Sequence, residues 1–358
     1  MSNALSTLLG GAPFSLGVDV PSPSPPTNVL LDAIYKRPRS RTDWKDRFSH
    51  WQRPASETEE VKIEAAARRI ALALRRSTFL PQRRWRVIKQ GSYYNNTNVR
   101  TDSDMDLCVC LTDAFYTDGP SYDLPTMQEL GYEPLPFTFE QYKMHLTWCL
   151  EEEFGRGAVR AGKKAIHVNK DTLEKIQVDV VPAFVYQLYG ARSEPLAQRG
   201  APHSGIALIT TGGNRITNFP EQHYANGCAK NDRTGRRYKR VVRILKRLRN
   251  HISDNPYLSA ETARRAKEVA SFLIESLVYS CPDGLFGHPE IYDDVVAVLD
   301  HLKIMLNDPA DGKTLLTMPV WALWTEVNGI KPLFIQQQAW NLSDVIAFVE
   351  FARAYMDV

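Results

Sequence analysis

The spacing of hydrophobic residues changes twice along the chain. Over 56–76, apolar residues recur at every third or fourth position, which is the period of an amphipathic helix. The period then becomes two, as in a strand, in four stretches rich in Val, Ile and aromatic residues. These predicted strands are Trp85–Lys89, Asp106–Leu111, Ala165–Asn169 and Ile176–Tyr186, with a helix at 138–154 among them. The helical period returns at 234–252, 260–280, 288–306 and 343–356.

This order of elements predicts an α+β fold, with a mixed sheet and flanking helices followed by a mostly helical region. We expect Ser56 and Glu59 to form a capping box at the start of the first strong helix, and Ser343 to be the N-cap of the last helix. The predicted domains are a Pro- and Ser-rich arm at 1–28, a sheet-containing lobe at 29–190 and a mostly helical lobe at 191–358.

Length and composition support this division. A chain of 358 residues is too long for one compact core. Its 43% hydrophobic and 24% charged residues exclude collagen-like, disordered and disulfide-scaffold proteins. Apolar stretches such as Val178–Tyr186 are shorter than the ~20 residues that cross a bilayer, so we expect no membrane association. No Lys or Arg precedes Lys36, so the start lacks the basic region of a secretory signal, and we expect a cytoplasmic protein.

Cysteine and histidine patterns exclude a zinc enzyme. Five cysteines include no CxxC pair, and Cys108 and Cys110 have no partner pair that would complete a zinc site. We interpret the cysteines as small buried thiols. Eight histidines are scattered without an HxxxH or HExxH grouping, so zinc-dependent hydrolysis has no candidate site.

Positive charge is concentrated in one segment. The segment 230–249 contains ten Lys or Arg residues against Asp232 alone, a net charge of +9, whereas the whole chain has +3. Such a segment indicates binding of a local polyanion, either nucleotide phosphates or nucleic acid. The alternative is a solvated helix face in which most of these cations have no ligand.

Three aspartates occupy polar positions of predicted strands. Asp104 and Asp106 are alternate residues at a strand entrance and so share one face. Asp179 lies between Val178 and Val180 and points away from the face that those valines bury. Three carboxylates at one edge of a sheet repel one another unless a cation neutralises them, and carboxylates completed by phosphate oxygens suit Mg²⁺. The pattern predicts a two-ion Mg²⁺ site, in which Mn²⁺ can substitute, for in-line phosphoryl displacement.

Gly91 and Ser92 follow the predicted strand Trp85–Lys89. A glycine lets the backbone approach a phosphate, which backbone amides and a hydroxyl can then surround. Gly-Ser alone is typical of an ordinary turn. The ordered combination of strand, Gly-Ser, paired aspartates, helix and a further strand aspartate favours a nucleotide site.

At these residues the chain resembles a known superfamily. The stretch GSYYNNTNVRTDSDMDLCVCL resembles the signature of DNA polymerase β-type nucleotidyltransferases. With VDVVPAF and ITNFPEQHYANGCAKNDRTGRRYKRVVRILKRLRN, it is similar to the CD-NTase family, bacterial relatives of cyclic GMP–AMP synthase that make cyclic oligonucleotides in anti-phage defence. The resemblance runs from about Glu57 to the helix near 350. It implies a polymerase β-like nucleotidyltransferase lobe at 29–190, a helical second lobe, and an active site in the cleft between them.

The resemblance also implies roles for single residues. Asp104 and Asp106 would hold both metal ions, and Asp179 would hold the catalytic ion and help to activate the attacking hydroxyl.

A second set of residues would bind the triphosphate. In the first lobe these are Gln90, Gly91 and Ser92. The family also uses a Lys on the basic helix and a Ser on the next helix, and Lys246 and Ser271 match those places.

The predicted function is therefore Mg²⁺-dependent joining of NTPs, ATP among them, into a cyclic di- or trinucleotide. The linkage (3′–5′ or 2′–5′), the bases and the ring size stay open. One alternative is transfer of AMP to a protein or small molecule, although chains of that kind are usually smaller and lack a long helical lobe. The other is a non-catalytic regulator that binds nucleic acid through the basic helix.

We expect no obligatory nucleic-acid activator. Nucleic-acid-sensing relatives carry zinc loops or long basic arms, whereas this chain has no cation before Lys36 and no cysteines for a zinc loop. Phosphate binding inside the cleft then best explains the basic segment. Activity would be controlled by a regulatory protein partner or a small ligand.

Overall fold

The structure is a computed structural model of the 358-residue chain. It describes residues 37–38, 40–54, 57–99, 105–118, 135–173, 175–189, 202–308, 319–334, 338 and 340–357. The predicted arm at 1–28, Asp104 and the Ser56 cap lie outside the described residues. The chain divides into two compact units, which we call the sheet unit (Ala55–Tyr224) and the helical unit (Met1–Pro54 with Ala225–Val358).

Seven strands form one mixed sheet. They are β1 (Trp85–Gln90), β2 (Met105–Asp118), β3 (Val159–Ala161), β4 (Ile166–Val168), β5 (Val178–Leu188), β6 (His203–Ile209) and β7 (Arg215–Asn218). The order is β1-β2-β5-β4-β3, and β6 pairs with both β5 and β7. Only the β2–β5 pair is parallel among these strands. The central parts of both strands, residues 107–111 and 180–185, are continuously apolar, as buried central strands require.

Helices precede and separate the strands of the sheet unit and form most of the helical unit. They are α1 (Arg41–Trp51), α2 (Glu57–Arg76), α3 (Gly91–Tyr94), α4 (Phe139–Phe154), α5 (Pro220–Arg233), α6 (Tyr238–Ser253), α7 (Ala260–Glu268), α8 (Ser271–Ser280), α9 (Ile291–Leu306) and α10 (Leu342–Met356). The predicted α+β class is confirmed.

The core of the sheet unit lies between the sheet and α2 and α4. The apolar stripe predicted on α2 is buried there, including Ile70 and Leu74. Thr138 caps α4 through a capping box with Gln141. On α4, Tyr142 is fully buried and donates a hydrogen bond to the Val109 carbonyl at 2.8 Å. These contacts hold β2, with Asp106 near its start, in the packed layer of the sheet.

The helical unit has a separate core built from α1, α6, α8, α9 and α10. The segment predicted as one helix at 260–280 is two helices, α7 and α8, because the chain turns at Val269 and Ala270. The N-cap predicted at Ser343 is wrong. Asn341 is the N-cap of α10, and its side-chain oxygen accepts a hydrogen bond from the Asp344 amide at 2.8 Å.

The predicted lobe at 29–190 needs correction at both ends. Residues 41–51 form α1, whose Trp44 and Phe48 are fully buried in the core of the helical unit. The β6–β7 hairpin, placed by prediction in the helical lobe, extends the sheet because β6 pairs with β5 from Phe184 to Leu188. The division between the units therefore falls within α5 and not near residue 190.

Two further predictions concern thiols and membranes. Four of the five cysteines are buried and Cys228 is half-buried, so the prediction of buried thiols holds for all but Cys228. No helix in the described part of the chain combines the length and apolar character that crossing a bilayer requires.

Candidate active site

Four polar side chains form one row across the sheet. Gln90 of β1 is the register partner of Asp106 of β2, Asp106 is the partner of Asp179 of β5, and Asp179 is the partner of His167 of β4. Directly opposite residues on neighbouring strands project from the same face. The structure thus brings the predicted Asp106 and Asp179 together, 73 positions apart in the chain.

Gly91 is matched to the Asp106 carboxylate. Its φ of +77° lies in the left-handed region, where glycine has no steric cost. A Cβ on Gly91 would lie 2.0 Å from Asp106 Oδ2, so no other residue fits this backbone beside that carboxylate. The requirement for glycine therefore comes from two separate causes, the backbone angle and the neighbouring carboxylate.

The residues after Gly91 form a compact turn. The Asn95 amide donates to the Gly91 carbonyl at 3.2 Å, and the Thr97 amide donates to the Ser92 carbonyl at 2.9 Å. Thr97 is fully buried, which anchors the turn, whereas Ser92 stays half-buried. The predicted phosphate-binding pair, Gly91 and Ser92, thus lies on a fixed backbone at the Asp106 end of β1.

Asp179 has a partner that the sequence analysis missed. His167 Nδ1 lies 2.6 Å from Asp179 Oδ1, and the two side chains are 27% and 17% exposed. Because an ionised carboxylate only accepts hydrogen bonds, Nδ1 donates this one. The available signal was the polar His167 between the apolar Ile166 and Val168 of a predicted strand.

The donor set of this row fits a divalent cation. Asp106 and Asp179 supply carboxylate oxygens, which Mg²⁺ prefers, and each is half-buried and so open on one side. Asp104, the third predicted ligand, lies outside the described residues. Within the part of the chain that the structure describes, no three His, Cys, Asp or Glu side chains are grouped closely enough to hold a metal ion. The structure thus describes two of the three predicted metal ligands, Asp106 and Asp179, on neighbouring strands.

Comparisons with known proteins bear on the whole chain. Residues 225–357 match the family described as cGAS/DncV-like nucleotidyltransferase C-terminal helical domain. The chain is 37% identical over 317 residues to a cyclic dipyrimidine nucleotide synthase, CdnE, from Legionella pneumophila, covering 88% of this chain and 98% of that one. The chain belongs to the CD-NTase family.

Solved CD-NTase structures agree with this assignment. An Elizabethkingia meningoseptica CdnE cyclic dinucleotide synthase, solved with GTP and Apcpp, is 29% identical with a TM-score of 0.67, covering 88% of this chain and 99% of that one. A Rhodothermus marinus CdnE has the same fold, with a TM-score of 0.70 at 24% identity over 86% of this chain and 94% of that one. The predicted enzyme class, a nucleotidyltransferase, is confirmed.

The predicted triphosphate residue of α6 forms an ion pair inside the helical unit. Lys246 of α6 is 1% exposed, and its ammonium pairs with Glu275 of α8 at 3.0 Å. Burial lowers the pKa of Lys246, and the charge of Glu275 acts in the opposite direction. In this arrangement the ammonium is bound by a side chain of the protein itself. The predicted contact of Lys246 with a triphosphate stays a prediction, and Glu275 is a partner of Lys246 that the sequence did not indicate.

Ser271 is the first residue of α8 and is half-buried. Its hydroxyl accepts a hydrogen bond from Arg249 Nη2 at 2.6 Å. Arg249 thus reaches Ser271 from α6, next to the pair of Lys246 and Glu275. The predicted contact of Ser271 with a triphosphate stays a prediction.

Most cations of the basic segment 230–249 form hydrogen bonds within the protein. Eight of its ten cations have a hydrogen-bond partner among the described residues. Arg247 donates to the His50 and Trp51 carbonyls at 2.9 and 2.7 Å, and Arg243 donates to the Gln52 carbonyl at 2.8 Å. These arginines satisfy carbonyls at the C-terminal end of α1, which the helix itself leaves unpaired. Arg243 and Arg247 thus have contacts within the protein, and binding of phosphate by the segment stays a prediction.

Proposed function

We propose that this chain is a Mg²⁺-dependent synthase that joins nucleoside triphosphates into a cyclic di- or trinucleotide. The proposal is supported by the row of Asp106 and Asp179 beside Gly91, in a chain that aligns with nearly the full length of a curated cyclic nucleotide synthase. One relative is named for pyrimidine products and a solved one contains GTP and an ATP analogue. All four NTPs are therefore substrates to test, with ATP first.

Each residue of the row has a proposed part in the transfer. The Gly91 and Ser92 backbone, with Gln90 beside it, holds the triphosphate, and the carboxylates of Asp104, Asp106 and Asp179 would hold Mg²⁺, which Mn²⁺ can replace. When bound, the ions neutralise negative charge on the phosphates and on the transition state. A ribose hydroxyl attacks the α-phosphorus, a new P–O bond forms, and the bond to the β-phosphate breaks so that pyrophosphate leaves. Asp179 orients the hydroxyl through Oδ2, because Oδ1 is bonded to His167, and the hydroxyl proton passes to solvent water as the new bond forms.

The cellular setting is part of the proposal. We infer a cytoplasmic enzyme of bacterial anti-phage signalling, controlled by a regulatory protein or small ligand and independent of nucleic acid.

The decisive experiment incubates the purified chain with each α-³²P-labelled NTP, alone and in pairs, with Mg²⁺. We expect a labelled product that resists phosphatase and whose mass is that of a cyclic di- or trinucleotide. Asp106→Asn and Asp179→Asn should each abolish it, and so should Asp104→Ala combined with Asp106→Ala. Label transferred to protein would support AMP transfer, and binding of duplex nucleic acid without any product would support the regulator; either result contradicts the proposal.

A further inference from the structure

His167 is a chemically capable residue beside the row of carboxylates that the predicted chemistry leaves unused. It lies on β4, which contains only Ile166–Val168, between the buried side chains of Ile166 and Val168. Its ring reaches Asp179 on the neighbouring strand at 2.6 Å. A half-exposed polar ring in such a short strand needs a reason beyond packing.

The surroundings of His167 restrict its ring. Its backbone is paired on both sides, with Asp179 of β5 and with Arg160 of β3. A Cβ on Gly162 would lie 2.4 Å from His167 Nε2, so the ring occupies the space that this glycine leaves. The Gly162 backbone is held in turn, because its amide donates to the Ala165 carbonyl at 2.8 Å and its carbonyl accepts from Lys143. The imidazole is therefore fixed from the Gly162 side as well as by Asp179.

This contact assigns different tasks to the two oxygens of Asp179. Oδ1 accepts from Nδ1, and this hydrogen bond fixes the rotation of the carboxylate. Oδ2 is then the oxygen that can serve a metal ion or a hydroxyl. In metal sites, hydrogen bonds to the back of a ligand fix its orientation and typically change affinity or activity by about 10- to 100-fold.

We propose that His167 is a positioning residue that orients Asp179, so that Oδ2 faces the metal ion and the attacking hydroxyl. The inference rests on the proposed function and adds to it a residue that touches neither nucleotide nor metal. Gly162 contributes to the same positioning, since the absence of a side chain at this residue leaves room for the His167 ring. A purely structural role would predict loss of stability without loss of metal affinity, which separates the two ideas.

The test measures Mn²⁺ affinity and turnover in a set of variants. Mn²⁺ binding is followed by electron paramagnetic resonance in the presence of a non-hydrolysable ATP analogue, so that this readout does not depend on activity. We expect His167→Ala to weaken Mn²⁺ binding and to lower kcat by about tenfold or more, with KM for NTP nearly unchanged. His167→Asn, whose amide nitrogen lies near the position of Nδ1, should recover most of both values. His203→Ala is the matched control, an exposed histidine on β6 of the same sheet.

A double-mutant cycle with Gly162 tests the positioning mechanism itself. Gly162→Ala should displace the ring and weaken Mn²⁺ binding in the natural chain. Its effect should be clearly smaller in the His167→Ala background, where the ring is gone and only the contact of the new Cβ with the Ala165 carbonyl oxygen, at 3.0 Å, remains. Equal effects in both backgrounds would overturn the inference, and so would a Mn²⁺ affinity and kcat for folded His167→Ala within about twofold of the natural chain.

The outcomes also separate the inference from the proposed function. If the natural chain makes no cyclic product, the proposed function fails, while the Mn²⁺ measurements still decide the role of His167. If product forms and Asp179→Asn abolishes it, but His167→Ala is normal by both readouts, the positioning role fails and the proposed function stands. Should His167→Ala not fold, His167→Asn and Gly162→Ala carry the same test.

Discussion

At the scale of single residues, the geometry of the candidate active site depends on a missing side chain. Gly91 has a left-handed backbone, and Asp106 Oδ2 occupies the space where its Cβ would be. Backbone strain and side-chain collision are separate penalties, and this chain allows them to be separated. Gly213, in the β6–β7 turn, has nearly the same φ of +80°, but no atom lies within 4 Å of the place that its Cβ would take.

We therefore predict that Gly91→Ala removes activity and Gly213→Ala does not. Both should lose roughly 1–2 kcal/mol of unfolding free energy from the left-handed backbone. Only Gly91→Ala pushes the Asp106 carboxylate, so only it should lower product formation, by about 100-fold or more. Urea unfolding and the labelled-NTP assay measure the two effects. A Gly91→Ala variant with normal activity would contradict the proposed place of Asp106.

The buried ion pair of Lys246 and Glu275 contributes to the stability of the helical unit. The whole side chains of Lys246 and Glu275 are 2% and 4% exposed. Removing one partner of a buried ion pair typically costs about 3–5 kcal/mol.

We predict that Lys246→Met destabilises the helical unit by about this amount, and that Lys246→Met with Glu275→Leu regains most of the loss. Chemical denaturation measures both. Activity of the double variant then decides the triphosphate role. Normal kcat/KM with restored stability would show that Lys246 acts through packing. A stable but inactive double variant would support a contact of Lys246 with the triphosphate.

At the scale of elements, α1 is a structural part of the helical unit. Trp44 and Phe48 are fully buried, and arginines of α6 bind the carbonyls at the end of the helix. Truncation from the N-terminal side should therefore be tolerated only if it leaves α1 intact.

We predict that deleting residues 1–25 leaves product formation intact, whereas Trp44→Ala costs about 3–5 kcal/mol through the cavity it creates. Thermal unfolding and the synthesis assay measure the two variants. Lys45→Ala is the control on the same helix, since Lys45 forms only a surface pair with Glu290 and should change stability by less than about 0.5 kcal/mol. Unchanged stability in Trp44→Ala would contradict the assignment of α1 to this core.

His251 links α6 to α1 and α10 and gives this contact a pH dependence. Its Nε2 lies 3.4 Å from both Arg47 and the Tyr355 hydroxyl. Burial and the charge of Arg47 lower its pKa to about 4, and Asp254 opposes them weakly. The neutral ring is therefore the form that the folded chain prefers, while the unfolded chain protonates near pH 6.5.

We predict that the contribution of His251 to stability is complete above about pH 6.5 and is lost as the pH falls toward 4, by up to about 3 kcal/mol. Urea unfolding across this range measures the loss. His251→Gln should flatten the profile in this window, and His203→Gln, at an exposed site, should not. An unchanged profile in His251→Gln would show that other groups cause the acid sensitivity.

At the scale of the whole molecule, the distribution of charge argues against nucleic acid as an activator. A +9 segment in a chain of +3 looks like a binding surface in the sequence. In the structure, its cations are largely paired with acidic groups and carbonyls of the helical unit. Paired cations neutralise few phosphates, so the salt-sensitive attraction that nucleic-acid binding needs is reduced.

We predict that synthesis does not depend on duplex DNA or RNA. Product formation is compared with and without each duplex at matched salt concentration. Stimulation of about tenfold or more would contradict the prediction and make the basic segment a sensor.

The sequence by itself determined the local features of this protein. Its periods of two and 3.6 located the main strands and helices, and the ordered Gly91, Asp106 and Asp179 pointed to phosphate chemistry, because these signals depend on residues close in the chain or on a motif order. The tertiary structure alone decided which residues from distant parts of the chain are in contact. Strand register joins His167 to Asp179, and helix packing joins Lys246 to Glu275 and α1 to α6. Local periodicity specifies which face of an element is buried but not which element covers it, so contacts between distant segments appear only when the chain is folded.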